Sequence, residues 1–294
     1  MTNPKPRPPV LVALSRPALA ELLAPQHASQ LTRLAQRLES VADAVVLGSD
    51  IVIDSQDAGA GGVDPTVGAI TLAHHTTSLG LIVAAAPQRD HPYNIARRLS
   101  TIDHASRGRA GLLIGALDRG ASPGSPWTRA TPTAAAADAV RVLRELWRSF
   151  PLDAIVADRA TGVFAESHRV VAIDHRGAFD VDGPLQVPWS PQIWPPVLAW
   201  SPGPADAALA AVADVVIRPG DGRTVVHRVD DLESLRHLVR DAPDTGTLPS
   251  GWLRERFGLV RVEPPTHGRR VFPDPAETDT HTSTTDKAGA THGN

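Results

Sequence analysis

Cysteine is absent from all 294 residues, so disulfides, thiolate metal centres and a cysteine nucleophile are excluded. A reducing compartment, the cytoplasm, is the expected location. Long apolar runs are missing too: nothing approaches the roughly 18 residues of a membrane span, and Met1 to Pro9 lacks the apolar stretch of a secretory signal. Lysine is reduced to Lys5 and Lys287, with arginine supplying the rest of the positive charge, and a net charge of -3 offers no basic footprint for a polyanion. Neither a membrane nor a nucleic acid is an expected partner. The Gly-x-Ser-x-Gly elbow of serine hydrolases and the glycine fingerprint of dinucleotide sites do not occur. His74 and His75 are adjacent on one helix and face apart, so no metal site is expected.

What is present is a rhythm of strands and helices in a chain that is 42% hydrophobic, enough for a full core. Short apolar runs read as strands at Val10 to Leu14, Ala44 to Leu47, Leu79 to Ala86 and Ala110 to Leu117, and again at Val197 to Trp200, Val215 to Ile217 and Val225 to Val229. Helical spacing fills the intervals at Ala28 to Val41, His91 to Arg107, Ala134 to Phe150, Ala205 to Ala213 and Asp230 to Asp241. A further helix is opened by Asp64 as its cap with Pro65 in its first position. Repeated strand-helix units predict a parallel sheet, and an α/β fold of the TIM-barrel type would place its ligand where the strands end and the loops begin. An open, doubly wound sheet is the alternative.

Residues 10–277 form the expected domain, flanked by polar tails at 1–9 and 278–294. The rhythm breaks between about 151 and 195. There Val170 to Ile173 and Ala178 to Val181 flank His175-Arg176-Gly177 as a hairpin, and Pro184 to Pro195 is too proline-rich for a central strand. This is read as an off-barrel insertion. Between Ile217 and Leu248 an eighth strand is not found, so the barrel is expected to be incomplete or completed by a neighbouring chain.

The segment PYNIARRLSTIDHASRGRAG from Pro92 to Gly111 resembles the signature helix and strand start of the bacterial luciferase-like, flavin-dependent monooxygenases. DRATGVF at Asp158 to Phe164 and VVAIDHRGAFDVDGPLQVPWSPQ from Val170 to Gln192 are similar to the insertion of the branch that acts on nitrilotriacetate, EDTA and dibenzothiophene sulfone. Leu248 to Val260 resembles that branch's C-terminal segment, and the likeness runs from about Leu31 to Leu259. It implies a two-component enzyme in which a separate flavin reductase supplies reduced FMN and oxygen is passed to a small organic substrate. A homodimer, or a dimer with a full-length homologue, is the expected assembly.

The same resemblance locates the FMN contacts, and there the chain departs from the pattern. Ser49 stands where an acid is usual, with Asp50 displaced by one. Ala84, Ala86, Pro87 and Gln88 replace the polar end of the third strand, and Leu112, Leu113, Ala116 and Leu117 replace that of the fourth. Thr133 takes the place of a phosphate-binding tyrosine, and Ser201-Pro202-Gly203-Pro204 that of a phosphate loop, although proline has no amide proton to offer. Ser49, Asp50, Gln88, Ser201 and Gly203 therefore remain as candidate cofactor contacts, and no catalytic residue is assigned. The alternative is a flavin-free paralogue acting as partner or regulatory subunit. Other polar residues have structural readings: Asp103-His104 as an anchor of the signature helix, Arg97 and Arg98 as surface charges, Gly108 and Gly111 as turn residues. Asp158, Asp174, Asp180 and Asp182 are read as solubilising the insertion.

Overall fold

The computed structural model describes residues 7–53, 62–120, 124–201, 203, 206–245, 251–262 and 269–272. The expected C-terminal tail and most of the N-terminal one lie outside these residues. The strands are β1 (Val10–Leu14), β2 (Ala44–Leu47), β3 (Gly80–Ala85), β4 (Ala110–Ile114), β5 (Val171–Ala172), β6 (Val197–Trp200), β7 (Val215–Ile217), β8 (Val225–Val229) and β9 (Arg269–Arg270). The helices are α1 (Arg16–Leu23), α2 (Ala28–Val41), α3 (Pro65–His75), α4 (Pro92–Ser106), α5 (Pro132–Trp147), α6 (Ala207–Ala210), α7 (Leu232–Asp241) and α8 (Leu253–Arg256).

All strands of the main sheet are parallel, in the order β7-β6-β4-β3-β2-β1-β8. The runs VLVAL, AVVL and AGLLI are apolar at every position because both faces of such a sheet are covered. Val12, Val45, Leu81, Val83 and Leu112 point outward into the helices, whereas Leu11, Val46, Ile82, Leu113 and Leu198 point into the lumen. The sheet thus curls into an open barrel, and the parallel α/β expectation holds. β7 and β8, neighbours in sequence, form its two ends and do not pair, which is the incompleteness the sequence implies.

Local chemistry starts the helices at the expected places. The Asp64 carboxylate accepts the Thr66 amide at 2.8 Å, with Pro65 opening α3, and Asp231 caps α7 through Ser234. α6 is shorter than expected, a single turn in place of Ala205 to Ala213. Its continuation bends into β7, whose leading Asp214 is held by the Val197 amide and by Arg144, each at 2.8 Å.

The amino-terminal end of the barrel is stoppered by α8. Leu253 lies beneath Gly80 and Gly111, where a Cβ on Gly80 would come within 2.6 Å of its Cδ1. Gly108 has a φ of +88° and lies against Trp252, so both the turn and the close approach require glycine. Asp103 on α4 is fully buried and joins three distant segments. Its carboxylate accepts the Gln192 side chain at 2.6 Å, the Ala110 amide at 3.1 Å and the Gln192 amide at 3.2 Å, while Gln192 Oε1 takes the Arg254 amide at 2.7 Å. The aspartate of the signature helix is therefore an anchor, as expected. In the insertion, the hairpin expected between residues 170–173 and 178–181 is reduced to a His175–Val181 bridge, in which the two residues exchange main-chain hydrogen bonds, and β5 pairs instead with β9. The His175 ring bridges Glu145 at 2.9 Å and Asp138 at 3.1 Å, fastening the hairpin to α5.

Candidate active site at the barrel mouth

In a barrel of this kind the carboxyl ends of the strands carry the chemistry. Ser49 and Asp50 follow β2 in a 3-10 turn, Gln88 follows β3, and Ser201 and Gly203 follow β6. All five thus lie at the expected end, but they do not form one cluster: two lie beyond β2, one beyond β3, and the last two on the far side of β4.

Their hydrogen bonds are largely internal. Asp50, buried at 1% exposure, accepts the Arg16 amide at 2.6 Å and Arg16 Nε at 2.8 Å, so it satisfies the first amide of α1, which Ser15 caps, and pairs with its first residue. Gln88 donates to the Gly124 carbonyl at 3.0 Å and accepts the Asp118 amide at 2.9 Å, fixing the loop after β4. Ser201 is buried, and among the described residues its hydroxyl reaches the Gly203 carbonyl at 3.5 Å. Among the described residues nothing lies within 4 Å of a Cβ placed on Gly203. Pro202 and Pro204 lie outside the described residues.

Between these groups the upper lumen is filled. Ile51, Val52 and Ile53 turn inward from the loop after β2 and pack on Ala13, Ala84 and Ala86. A Cβ on Gly115, just past β4, would meet Val52 at 2.8 Å, and the Arg119 amide clamps the Ile51 carbonyl at 2.9 Å. A separate cavity of about 260 Å³ opens beside the end of β3, between the starts of α3 and α4. Its walls include Arg16, Arg89, Arg98, Asp64, Asp90 and Asp118. These charges compensate one another: Arg98 binds Asp90 at 2.7 Å. Burial nevertheless lifts the Asp90 carboxyl above its ordinary value, with Arg98 opposing and Asp64 reinforcing. Burial also lowers the neighbouring His91, whose Nδ1 accepts the Tyr93 amide. Arg16 Nη2 is buried without a hydrogen-bond partner among the described residues. Arg16 is not among the residues the sequence singles out, although the polar pair Ser15-Arg16 following the first strand is the signal that points to it.

Among the described residues the mouth offers FMN no open cradle: Ile51, Val52 and Ile53 pack into the upper lumen, and the cavity beside β3, about 260 Å³, falls below the roughly 300 to 1,000 Å³ of small-molecule pockets. A lone unpaired guanidinium nitrogen does not replace a phosphate cradle. Among the described residues no group of three or more histidine or carboxylate side chains could hold a metal, and no helix is long and apolar enough to cross a membrane.

An open parallel barrel with a luciferase-like signature helix, insertion and stopper defines a class, and the chain matches the luciferase-like monooxygenase family over residues 4–235. It belongs to that family. It is 32% identical over 262 residues to one subunit of pristinamycin IIA synthase from Streptomyces pristinaespiralis, covering 77% of this chain and 89% of that protein. Dibenzothiophene-sulfone monooxygenase of Rhodococcus erythropolis is 34% identical over 146 residues, 48% of this chain and 32% of the relative. The crystal structure of long-chain alkane monooxygenase shares the fold at a TM-score of 0.60 and 23% identity, covering 86% of this chain and 61% of that one. The chain thus spans nearly all of the synthase relative but only about a third of the sulfone monooxygenase.

Proposed function

We propose that this chain works in a two-component, flavin-dependent monooxygenase, in which a separate reductase delivers reduced FMN and oxygen is transferred to a small organic molecule. The observation that carries the reading is family membership across the whole barrel, reinforced by relatives named as monooxygenases. A second reading, that the chain is the flavin-free partner of a longer luciferase-like chain, is favoured by the filled mouth. The relative matched along almost its entire length is itself named as one of the subunits of a synthase.

Anaerobic calorimetric and fluorescence titration with FMN and reduced FMN tests both. Saturable micromolar binding by the chain alone supports a self-sufficient oxygenase. Binding that appears only after co-purification with a luciferase-like chain encoded nearby supports the flavin-free partner. Absence of binding in both preparations, with no oxygen consumed when reductase is added, overturns the monooxygenase assignment.

A further inference from the structure

The amino-terminal end of the barrel, opposite the mouth, holds a second cavity, of about 780 Å³. That volume is within the range of small-molecule sites. It opens where the turns leading into β3 and β4 meet the α8 stopper. Arg107, Arg109, Arg256 and His74 line it, and among the described residues no carboxylate does, in a chain whose net charge is -3.

The guanidiniums there meet neutral oxygens. Arg109, 5% exposed, donates to the carbonyls of Ala73, Thr76, Leu79 and Ser106 and to the Thr76 hydroxyl at 2.8 to 3.2 Å. Its donors are used and its charge is not compensated. Arg256 donates to the Ser78 carbonyl and, at 3.1 Å, to that of Gly251, while its Nε is buried with no hydrogen-bond partner among the described residues. Arg107 is exposed and closes α4 in a left-handed conformation, with a φ of 58°. Glycine closes a helix there at lower cost, so the backbone alone does not account for an arginine. Carboxylates in the vicinity are committed elsewhere: Glu39 to the amides of Thr77, Ser78 and Leu79, Asp43 to Arg7, and Glu255 to the Trp252 amide and Arg261. Among the described residues none pairs with Arg107, Arg109 or Arg256. Burial lowers the Arg109 guanidinium from its ordinary value, and the cations Arg256 and Arg107 add to that against the opposing Glu39.

We propose that this cavity binds a phosphate group, free or carried on a small molecule, among Arg107, Arg256 and His74 and in the field of Arg109. The fork of Arg107 and the Nε of Arg256 have donors to give, and a guanidinium matches phosphate oxygens in pairs. A phosphate monoester carries roughly -1.5 to -2 at neutral pH, and several like charges at close quarters favour it over a singly charged carboxylate. Binding also relieves the repulsion among the cations. The chemistry of such a barrel belongs to its other end, so the failure of this inference would leave the flavin reading untouched.

The test is calorimetric titration of the full chain with inorganic phosphate, phenyl phosphate and acetate at one low ionic strength. Both phosphates should bind saturably, and acetate about tenfold weaker or more. Tighter binding of phenyl phosphate would assign the cavity to a phosphorylated molecule, and equal binding to the free ion. Arg107→Gln, at an exposed position where substitutions cost little stability, should weaken both about tenfold, and Arg107→Lys should restore part of the loss. Arg97→Gln, which removes the same charge from an exposed position on α4, should leave affinity unchanged. Trp252 lines the cavity, so Trp252→Phe should remove the phosphate-induced change in tryptophan fluorescence. No saturation with either phosphate, affinity indifferent to Arg107→Gln, equal losses in Arg107→Gln and Arg97→Gln, or acetate as tight as phosphate would each overturn the proposal.

Discussion

Replacing Asp103 with alanine isolates the joint between the signature helix, the insertion and the α8 stopper. In the native protein one buried carboxylate accepts the amides of Ala110 and Gln192 and the carboxamide of Gln192. The Gln192 side chain keeps a second acceptor in the Ala110 carbonyl at 2.9 Å. The two main-chain amides have no other described partner, and each buried unpaired group costs about 1 to 3 kcal/mol. Asp103→Ala should therefore lose about 2 to 6 kcal/mol, a large part of the roughly 5 to 15 kcal/mol that holds a domain together. For a chain of this size that corresponds to a fall in Tm on the order of 10 °C. Asp103→Asn, which retains one acceptor oxygen, should lose about half as much. Thermal and urea unfolding followed by circular dichroism give both values. A loss below about 1 kcal/mol for the alanine variant would refute the reasoning, because both amides would then have found acceptors the geometry does not provide.

Asp50→Ala should destabilise by about 2 to 3 kcal/mol in urea unfolding, less than a fully buried pair because Arg16 retains some solvent contact; unchanged stability with altered flavin affinity would instead make Asp50 a cofactor contact. Gly108→Ala would need a left-handed alanine and would drive its Cβ to 2.4 Å from Trp252 Cδ1, so α8 should loosen, at a cost of about 2 kcal/mol, and near-ultraviolet dichroism should change. Burial pushes the Glu39 carboxyl up, but the amides of Ser78, Leu79 and Thr77 and the Ser78 hydroxyl together hold it below the ordinary glutamate value. Its contribution is thus present above the unfolded-state pKa and lost as pH falls through the lower folded-state one. Glu39→Gln should flatten that acid limb by less than about 1 kcal/mol, since solvent reaches the group, and an unchanged limb would count against the assignment.

The strands are legible in the sequence because a parallel sheet covered on both faces writes itself as uninterrupted apolar runs, and the helix at Asp64-Pro65 because its cap is local. α1 is not, since Ser15-Arg16-Pro17 follows β1 without a loop to announce it. Nor is α8, whose single turn makes sense only against Gly80 and Gly111, far away in the chain. The candidate contacts fall at the expected end of the barrel, but their engagements are not visible in the sequence. Asp50 is claimed by Arg16, 34 residues earlier, and Gln88 by Gly124, 36 residues later. Sequence spacing does not report such partners. The inward turn of Ile51, Val52 and Ile53 is equally silent, because an apolar triplet after a strand reads as more strand.

The position of β1 also bears on how the protein is made. β1 is an interior strand, yet its β8 neighbour arrives very late: Ser15 and Asp230, hydrogen-bonded across that junction, are 215 residues apart. At about 5 to 20 residues per second, synthesis leaves one edge of β1 bare for roughly 10 to 40 seconds. During that interval Val10–Leu14 is a template bare along one edge, and among the described strands of the sheet the last to leave the ribosome is the one that covers it.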